Sequence, residues 1–334
     1  MTTIRDIAEK LEISSATVSR ALNNDPRISE RTKNLVFAKA EELGYPVKLN
    51  ATKCLKNTIG IIAPEIVSAN LSTLVNSIVV NLKSKGFTGI LGITSYDKET
   101  EKNWFDYFQK VGVSGIIIIM YNDEETSMFL RAFQRKTSIP IMQINNYEEY
   151  SEYDLLIVSE RLAAIKAVEH LQELGHRDIA ILTDVQAEQR AVEIQKAAEL
   201  RGMTIRKGSM VVIDDVRYEA AGYKAMQQLY AKGELPTAVL ATYDYLAFGI
   251  IRFCHEMNID IPKDISLISI DNVGTSAYLD KALTTVSMPT EDTGRISTRI
   301  LTDRIKAGNN KPAVQHVILN PELVVRETTA APSR

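Results

Sequence analysis

From Ile59 onward, short apolar runs alternate with amphipathic helical stretches, and that alternation leaves few folds open to the chain. Strands are expected at Ile59–Ala63, Thr88–Ile93, Gly115–Met120, Pro140–Ile144, Ile179–Leu182, Met210–Ile213, Ala238–Ala241 and Leu267–Ile270. Helices are expected at Leu71–Ser84, Glu101–Lys110, Glu160–Leu174, Arg190–Arg201, Arg217–Ala231, Tyr245–Met257 and Thr293–Ala307. Such a succession builds doubly wound parallel sheets with helices on both faces. Roughly 270 residues exceed one sheet of this type and fit two similar lobes. Crossings near Ser159–Arg161, Thr285–Thr290 and Asn320–Leu323 give lobe one about 58–158 and 291–320, and lobe two about 161–285 and 323–330. Ligands of such sheets bind beyond the carboxyl ends of the strands, so two facing lobes enclose a cleft.

Residues 1–57 follow another plan, a small all-α headpiece and its link to the body at 58–334. Thr3 and Asp6 form a shortened capping box, and Ile4, Ile7, Ala8 and Leu11 share one helical face. Ser14 suits the N-cap of a second helix, with Val18 and Leu22 inward and Ser15, Ala16, Ser19 and Arg20 outward. Ser29 opens a third helix carrying Leu35, Val36, Ala40 and Leu43, and Gly44 closes it. Two capped helices around a tight turn, with a row of small polar residues and an arginine outward, are the plan of a helix-turn-helix DNA reader.

The overall charge of −3 conceals an asymmetry. Residues 1–57 hold ten Lys and Arg against seven Asp and Glu; the remainder holds 29 against 35. A basic head on an acidic body suits a DNA-binding module joined to a sensor. Cys54 and Cys254 make no C-x-x-C pair, and His170, His176, His255 and His316 lack paired ligand spacing, so no metal and no cofactor is expected. No nucleophile elbow, P-loop or dinucleotide fingerprint is present, which argues against an enzyme. Without an apolar leader or a membrane-length apolar run, the expected location is the cytoplasm, away from membranes.

The run TIRDIAEKLEISSATVSRALN resembles the headpiece of the lactose/galactose repressor (LacI/GalR) family. AVEHLQELGHRDIAIL (Ala167–Leu182), DIPKDISLISIDNV (Asp260–Val273), LTTVSMP (Leu283–Pro289) and LNPELVVRETT (Leu319–Thr329) extend the resemblance over nearly the whole chain. It implies a body like that of periplasmic sugar-binding proteins. It also implies a transcriptional regulator, most commonly a repressor, that binds a pseudo-palindromic operator in double-stranded DNA as a homodimer. Carried over by position, Ser15 and Ala16 become base readers, and Arg20 faces guanine acceptors. Thr17, Ser19 and Asn23 become backbone-positioning residues, and Thr3 joins the DNA-binding set. Glu12 stands where that family commonly has glycine, so either a glutamate takes a left-handed backbone there, at about 1 kcal/mol, or the turn differs.

The same resemblance implies a carbohydrate effector gripped by Arg190 and Asp271, since a guanidinium fork and a carboxylate each hold two hydroxyls. Asn145 replaces an aspartate common at the end of the fourth strand, and Tyr243 replaces an asparagine before Asp244, itself read as an N-cap. The strand end Ala63-Pro64 is expected to approach the ligand from lobe one. In the link, Ala51 matches the family, but Cys54 stands where a minor-groove leucine is usual, and Leu55 follows; the shifted Leu55 is one wedge candidate. Lys48, Lys53 and Lys56 suit phosphates. The alternative is a cytoplasmic small-molecule-binding protein without operator function.

Overall fold

The computed structural model describes residues 2–333 apart from 24, 26, 46–54, 56, 120–123, 146–151, 234, 309 and 311. Lys53 and Cys54 of the link therefore lie outside the described residues. The head contains α1 (Ile4–Lys10), α2 (Ser15–Leu22) and α3 (Glu30–Glu42). Local chemistry sets each start. The Thr3 N–H and hydroxyl both donate to the Asp6 carboxylate, at 2.7 and 3.0 Å. The Ser14 hydroxyl accepts the Thr17 N–H at 3.0 Å, and the Ser29 hydroxyl accepts the Thr32 N–H at 3.2 Å. Ile7, Ala8, Val18, Ala21, Val36 and Ala40 form the small core, with Ile4, Leu22 and Leu43 packed against it. On α3 Leu35 is 55% exposed, and Val36 beside it takes the inward position.

Glu12 adopts φ 53 in the turn between α1 and α2. This left-handed backbone crowds any Cβ, at about 1–2 kcal/mol, while glycine returns part of that gain as unfolded-state entropy. Glu12→Gly is therefore expected to stabilise the head by about 0.5–1 kcal/mol, slowing hydrogen exchange of the α1 and α2 amides by roughly 2- to 5-fold. Faster exchange would sink this account of the turn.

The body begins β1 (Thr58–Ala63), α4 (Ala69–Ser84), β2 (Thr88–Ile93), α5 (Lys98–Val111), β3 (Gly115–Ile119), α6 (Glu124–Lys136), β4 (Ile141–Asn145) and β5 (Asp154–Val158). It continues α7 (Glu160–Glu173), β6 (Ile179–Asp184), α8 (Glu188–Leu200), β7 (Met210–Ile213), α9 (Tyr218–Tyr230), β8 (Ala238–Ala241) and α10 (Asp244–Glu256). β9 (Ser266–Asp271), β10 (Thr284–Ser287), α11 (Thr290–Ala307), β11 (His316–Leu319) and β12 (Glu322–Val324) complete it. One sheet has the order β11-β5-β4-β3-β1-β2 and is parallel throughout. The other has the order β12-β10-β9-β8-β6-β7, with β12 antiparallel at its edge. The chain crosses between sheets after β5, after β10 and after β11, so α11 and β11 return to lobe one.

The apolar runs of β1, β3 and β6 follow from burial on both sheet faces. Phe105, Phe108, Leu130 and Phe133 of α5 and α6 cover one face of lobe one. Helices α9 and α10 cover the outer face of lobe two at very close range. A Cβ on Gly222 would meet the Leu246 carbonyl oxygen at 1.9 Å, so glycine is what lets the two helices touch.

Leu55 packs against the lobe-one cluster that holds Phe105 and Phe108. The following Asn57 N–H donates to the Ser114 hydroxyl at 3.1 Å. The described end of the link is thus fastened to the body, where an apolar side chain beside an apolar surface buries itself. His176, almost fully buried, bonds Thr237, Ser266 and the Ala330 carbonyl, and His170 bonds Thr329. Both histidines hold the segment after β12 to lobe two. Among the described residues, no three potential metal ligands cluster, and no helix is long and apolar enough to cross a membrane.

Candidate functional site

Between the lobes lies a cleft of about 700 Å³, a volume suited to a small polar ligand. Its floor is built where the chain crosses between sheets. Ser159 caps α7 and accepts the Leu162 N–H, which sets Glu160 in the first turn, 1% exposed and facing inward. Arg190, from the first turn of α8, donates its Nε to Glu160 Oε2 at 2.7 Å and its Nη2 to Oε1 at 2.6 Å. The same guanidinium donates Nη1 to the Thr242 carbonyl at 2.8 Å and to Asp271 Oδ1 at 3.1 Å. Such a fork, bonded at both edges, has one orientation.

Asp271 ends β9 with φ 118, and Asn272 follows at φ 56. Two non-glycine residues held in this region turn the chain sharply at the cleft rim. Asn70 of lobe one donates to Asp271 Oδ1 at 3.3 Å, bridging the lobes. Burial pushes the Asp271 carboxyl up to about 7; Arg190 pulls it down, while Asp244 and Glu160 push it further up. Between about pH 4 and 7 the native protein thus keeps a proton that the unfolded chain has released, so this group lowers stability as pH rises through that window. Asp271→Asn is expected to flatten the fall in unfolding free energy between about pH 4 and 7, by on the order of 1 kcal/mol per pH unit. Parallel pH profiles for the two proteins would contradict the assignment.

Tyr243, only 7% exposed, lines the wall and packs edge-to-face on Tyr218. Its hydroxyl donates to Asp184 Oδ2 and accepts the Tyr218 N–H at 3.1 Å, and burial raises its pKa far above the ordinary value. The guanidinium of Arg217 lies 5.1 Å from the Tyr96 ring and 4.6 Å from the Tyr218 ring, a cation–π clasp from lobe two to lobe one.

Asp244 is not the N-cap, which falls on Tyr243. Its carboxylate accepts the hydroxyls of Ser269, Ser276 and Thr285 and the Val273 N–H, tying α10 to β9 and β10. Ala63 and Asn145 are fully buried and do not line the cleft. Pro64 and Glu65 line it instead of Ala63, because alternate strand residues point to opposite faces and only the residues past the strand end reach the opening. For the same reason Ile144, not Asn145, faces the cavity.

Of the effector residues expected from the chain, the structure brings together Arg190, Tyr243 and Asp271. Glu160, Asn70, Tyr96, Arg217 and Tyr218 were not anticipated. Glu160 had one visible signal, its place directly after a capping serine at a crossing; the others carry no local mark.

In the head, Ser15, Ala16 and Arg20 are exposed on one helix, and Ser19 is partly so. The Thr17 hydroxyl is shared with Ser14 at 2.8 Å, and Asn23 donates to the Ser19 carbonyl at 2.8 Å, so both serve the helix ends. Thr3 is engaged with Asp6.

Two family models match the chain: bacterial regulatory proteins of the lacI family over residues 3–46, and a periplasmic binding protein-like domain over 168–329. The HTH-type transcriptional repressors PurR of Shigella dysenteriae and Escherichia coli are each 29% identical over 342 residues, covering 99% of this chain and 97% of theirs. Among solved structures, a LacI-family regulator from Silicibacter pomeroyi aligns with TM-score 0.77 at 23% identity, covering 98% of this chain and 99% of that one. A lac repressor dimer bound to operator aligns with TM-score 0.74 at 24% identity, covering 99% of each. A CelR–cellobiose complex aligns with TM-score 0.70 at 21% identity, covering 98% and 100%. At these identities the structural likeness concerns the fold.

Proposed function

We propose, for a chain that belongs to the lacI family of bacterial regulatory proteins, operator-specific repression controlled by a carbohydrate effector held between the lobes. The observation that carries this reading is the pairing of two modules in one chain. An exposed Ser15-Ala16-Arg20 row stands on a capped helix, and a 700 Å³ cleft is organised around Arg190 and Asp271. In the reading, Ser15 and Ala16 contact base edges and Arg20 takes guanine acceptors. Thr3, Thr17, Ser19 and Asn23 set register on the backbone. Residues 1–57 act as head and link; the body binds effector and dimerises. A neighbour solved with cellobiose and one solved with ribose support a sugar, and the operator-bound lac repressor dimer supports a homodimer on a two-fold site.

Effector control needs only differential affinity. A ligand that favours one lobe arrangement changes operator affinity by the same factor by which operator changes ligand affinity. Cytoplasmic residence follows from a DNA target.

The test is a selection of duplexes from a random pool by the full-length protein, followed by titration with sugars. Enrichment of a two-fold site whose affinity shifts with one sugar is the expected result. Sugar binding without any enriched site would replace this reading with a small-molecule-binding protein lacking operator function.

A further inference from the structure

We infer that the cleft selects an effector without negative charge, an uncharged or amine-bearing polyhydroxylated molecule, and discriminates against its phosphorylated form. The inference rests on the carbohydrate reading above and narrows it. A phosphate in a protein of this architecture has three natural seats: the N–H groups at a helix N-terminus, an uncommitted guanidinium and a lysine ammonium. Here acidic side chains stand at the helix starts, the guanidiniums are bonded within the protein, and the cleft-lining Lys98 and Lys196 donate to Thr126 and Glu193.

Acidic side chains stand at the helix starts, and three of them bond the N–H groups there. Glu65 accepts the Val67 and Ser68 N–H groups ahead of α4. Asp97 caps α5 through the Thr100 N–H at 2.7 Å. Asp184 Oδ1 accepts the Gln186 and Ala187 N–H groups ahead of α8, each at 3.1 Å. Glu160 lies in the first turn of α7 and buried Asp244 in that of α10, while α11 opens on Glu291 and Asp292. Each carboxylate already takes the favourable end of a helix dipole, and an incoming anion would meet it at short range.

The guanidiniums are committed as well. Arg190 is bonded to Glu160, Asp271 and the Thr242 carbonyl. Arg217 is stacked between Tyr96 and Tyr218, with Asp184 at 3.4 Å. Among the described residues, seven Asp and Glu line the cleft against four Lys and Arg. Charges confined between low-dielectric walls act strongly on a ligand. Hydroxyls and amines donate to carboxylates; a phosphate dianion only accepts.

The experiment uses the full chain in calorimetric titrations with matched pairs: a sugar, its phosphate ester and its amino derivative, at constant pH and ionic strength. In every pair that binds, the phosphate ester is expected to bind at least tenfold more weakly than its parent. Equal or tighter binding of the ester overturns the inference. Where no member of any pair binds, the carbohydrate reading itself fails, and inorganic phosphate then decides the charge question. No saturable response at millimolar phosphate upholds it; a saturable response that Arg190→Lys removes refutes it.

Discussion

Replacing Arg190 by alanine will destabilise the body by about 3–5 kcal/mol, because it strands Glu160, which is 1% exposed, as an uncompensated buried carboxylate. The loss goes beyond one ion pair. Both Glu160 oxygens lose their Arg190 bonds, the Thr242 carbonyl loses a donor, and Asp271 loses the cation at 3.1 Å that counters its burial. In a domain of this size each kcal/mol moves the melting temperature by about 2–4 °C, so a fall on the order of 10 °C is expected. Effector response should vanish as well, but a failing fold alone would also abolish it. Arg190→Lys separates the two effects: it keeps a charge near Glu160 and loses the planar fork. It is expected to recover much of the stability without recovering ligand affinity. An Arg190→Ala protein that melts within 2 °C of the parent would show that the Glu160 pairing contributes little. Arg190 therefore serves twice, holding the crossing together and fixing the Asp271 carboxyl at the cleft.

Arg20→Ala should have the opposite profile. Arg20 is exposed in the last turn of α2, outside the head's core, so the fold is expected to keep its melting temperature. Operator binding should weaken by about 1–3 kcal/mol, a 5- to 150-fold change at fixed salt, with preference relaxed at the base pair it contacts. A phosphate contact would instead weaken all sequences alike and lower the salt dependence. The measurement is a set of titrations on the selected operator, on single base-pair variants of it and on unrelated DNA, at two salt concentrations. An unchanged ranking of sequences would remove Arg20 from base recognition and leave it a role on the backbone.

Different parts of the molecule were legible in the chain to different degrees. The three head helices, their caps and seven of the body's helices are visible because capping and amphipathic spacing act over a few residues. α6 escaped notice although Phe129, Leu130 and Phe133 mark its inward face. The strand Thr284–Ser287 has no apolar run to betray it. Its sequence TTVS is largely hydroxylic, and it is buried because Thr284 and Thr285 find partners in Thr329 and Asp244. β11 and β12 are short edge strands with alternating exposure, a weak signal at any length. At the cleft, Arg190, Tyr243 and Asp271 were anticipated through a resemblance, while Ala63 and Asn145 were assigned one residue away from the wall. An error of one position in a strand changes the face entirely.

Residue order alone determined the two-module plan, the alternation that yields two parallel sheets and the exposed row on α2. All of these arise from backbone preference and periodic burial between near neighbours. Only the tertiary structure decided that Glu160 clamps Arg190, that Asp244 is a buried acceptor rather than a cap, that Leu55 rests on lobe one, and that carboxylates already sit at the helix starts of the cleft. Glu160, Arg190 and Asp271 are 30 and 81 residues apart in pairing, and their energies depend on distance and desolvation in space. Neither quantity leaves a periodic trace along the chain.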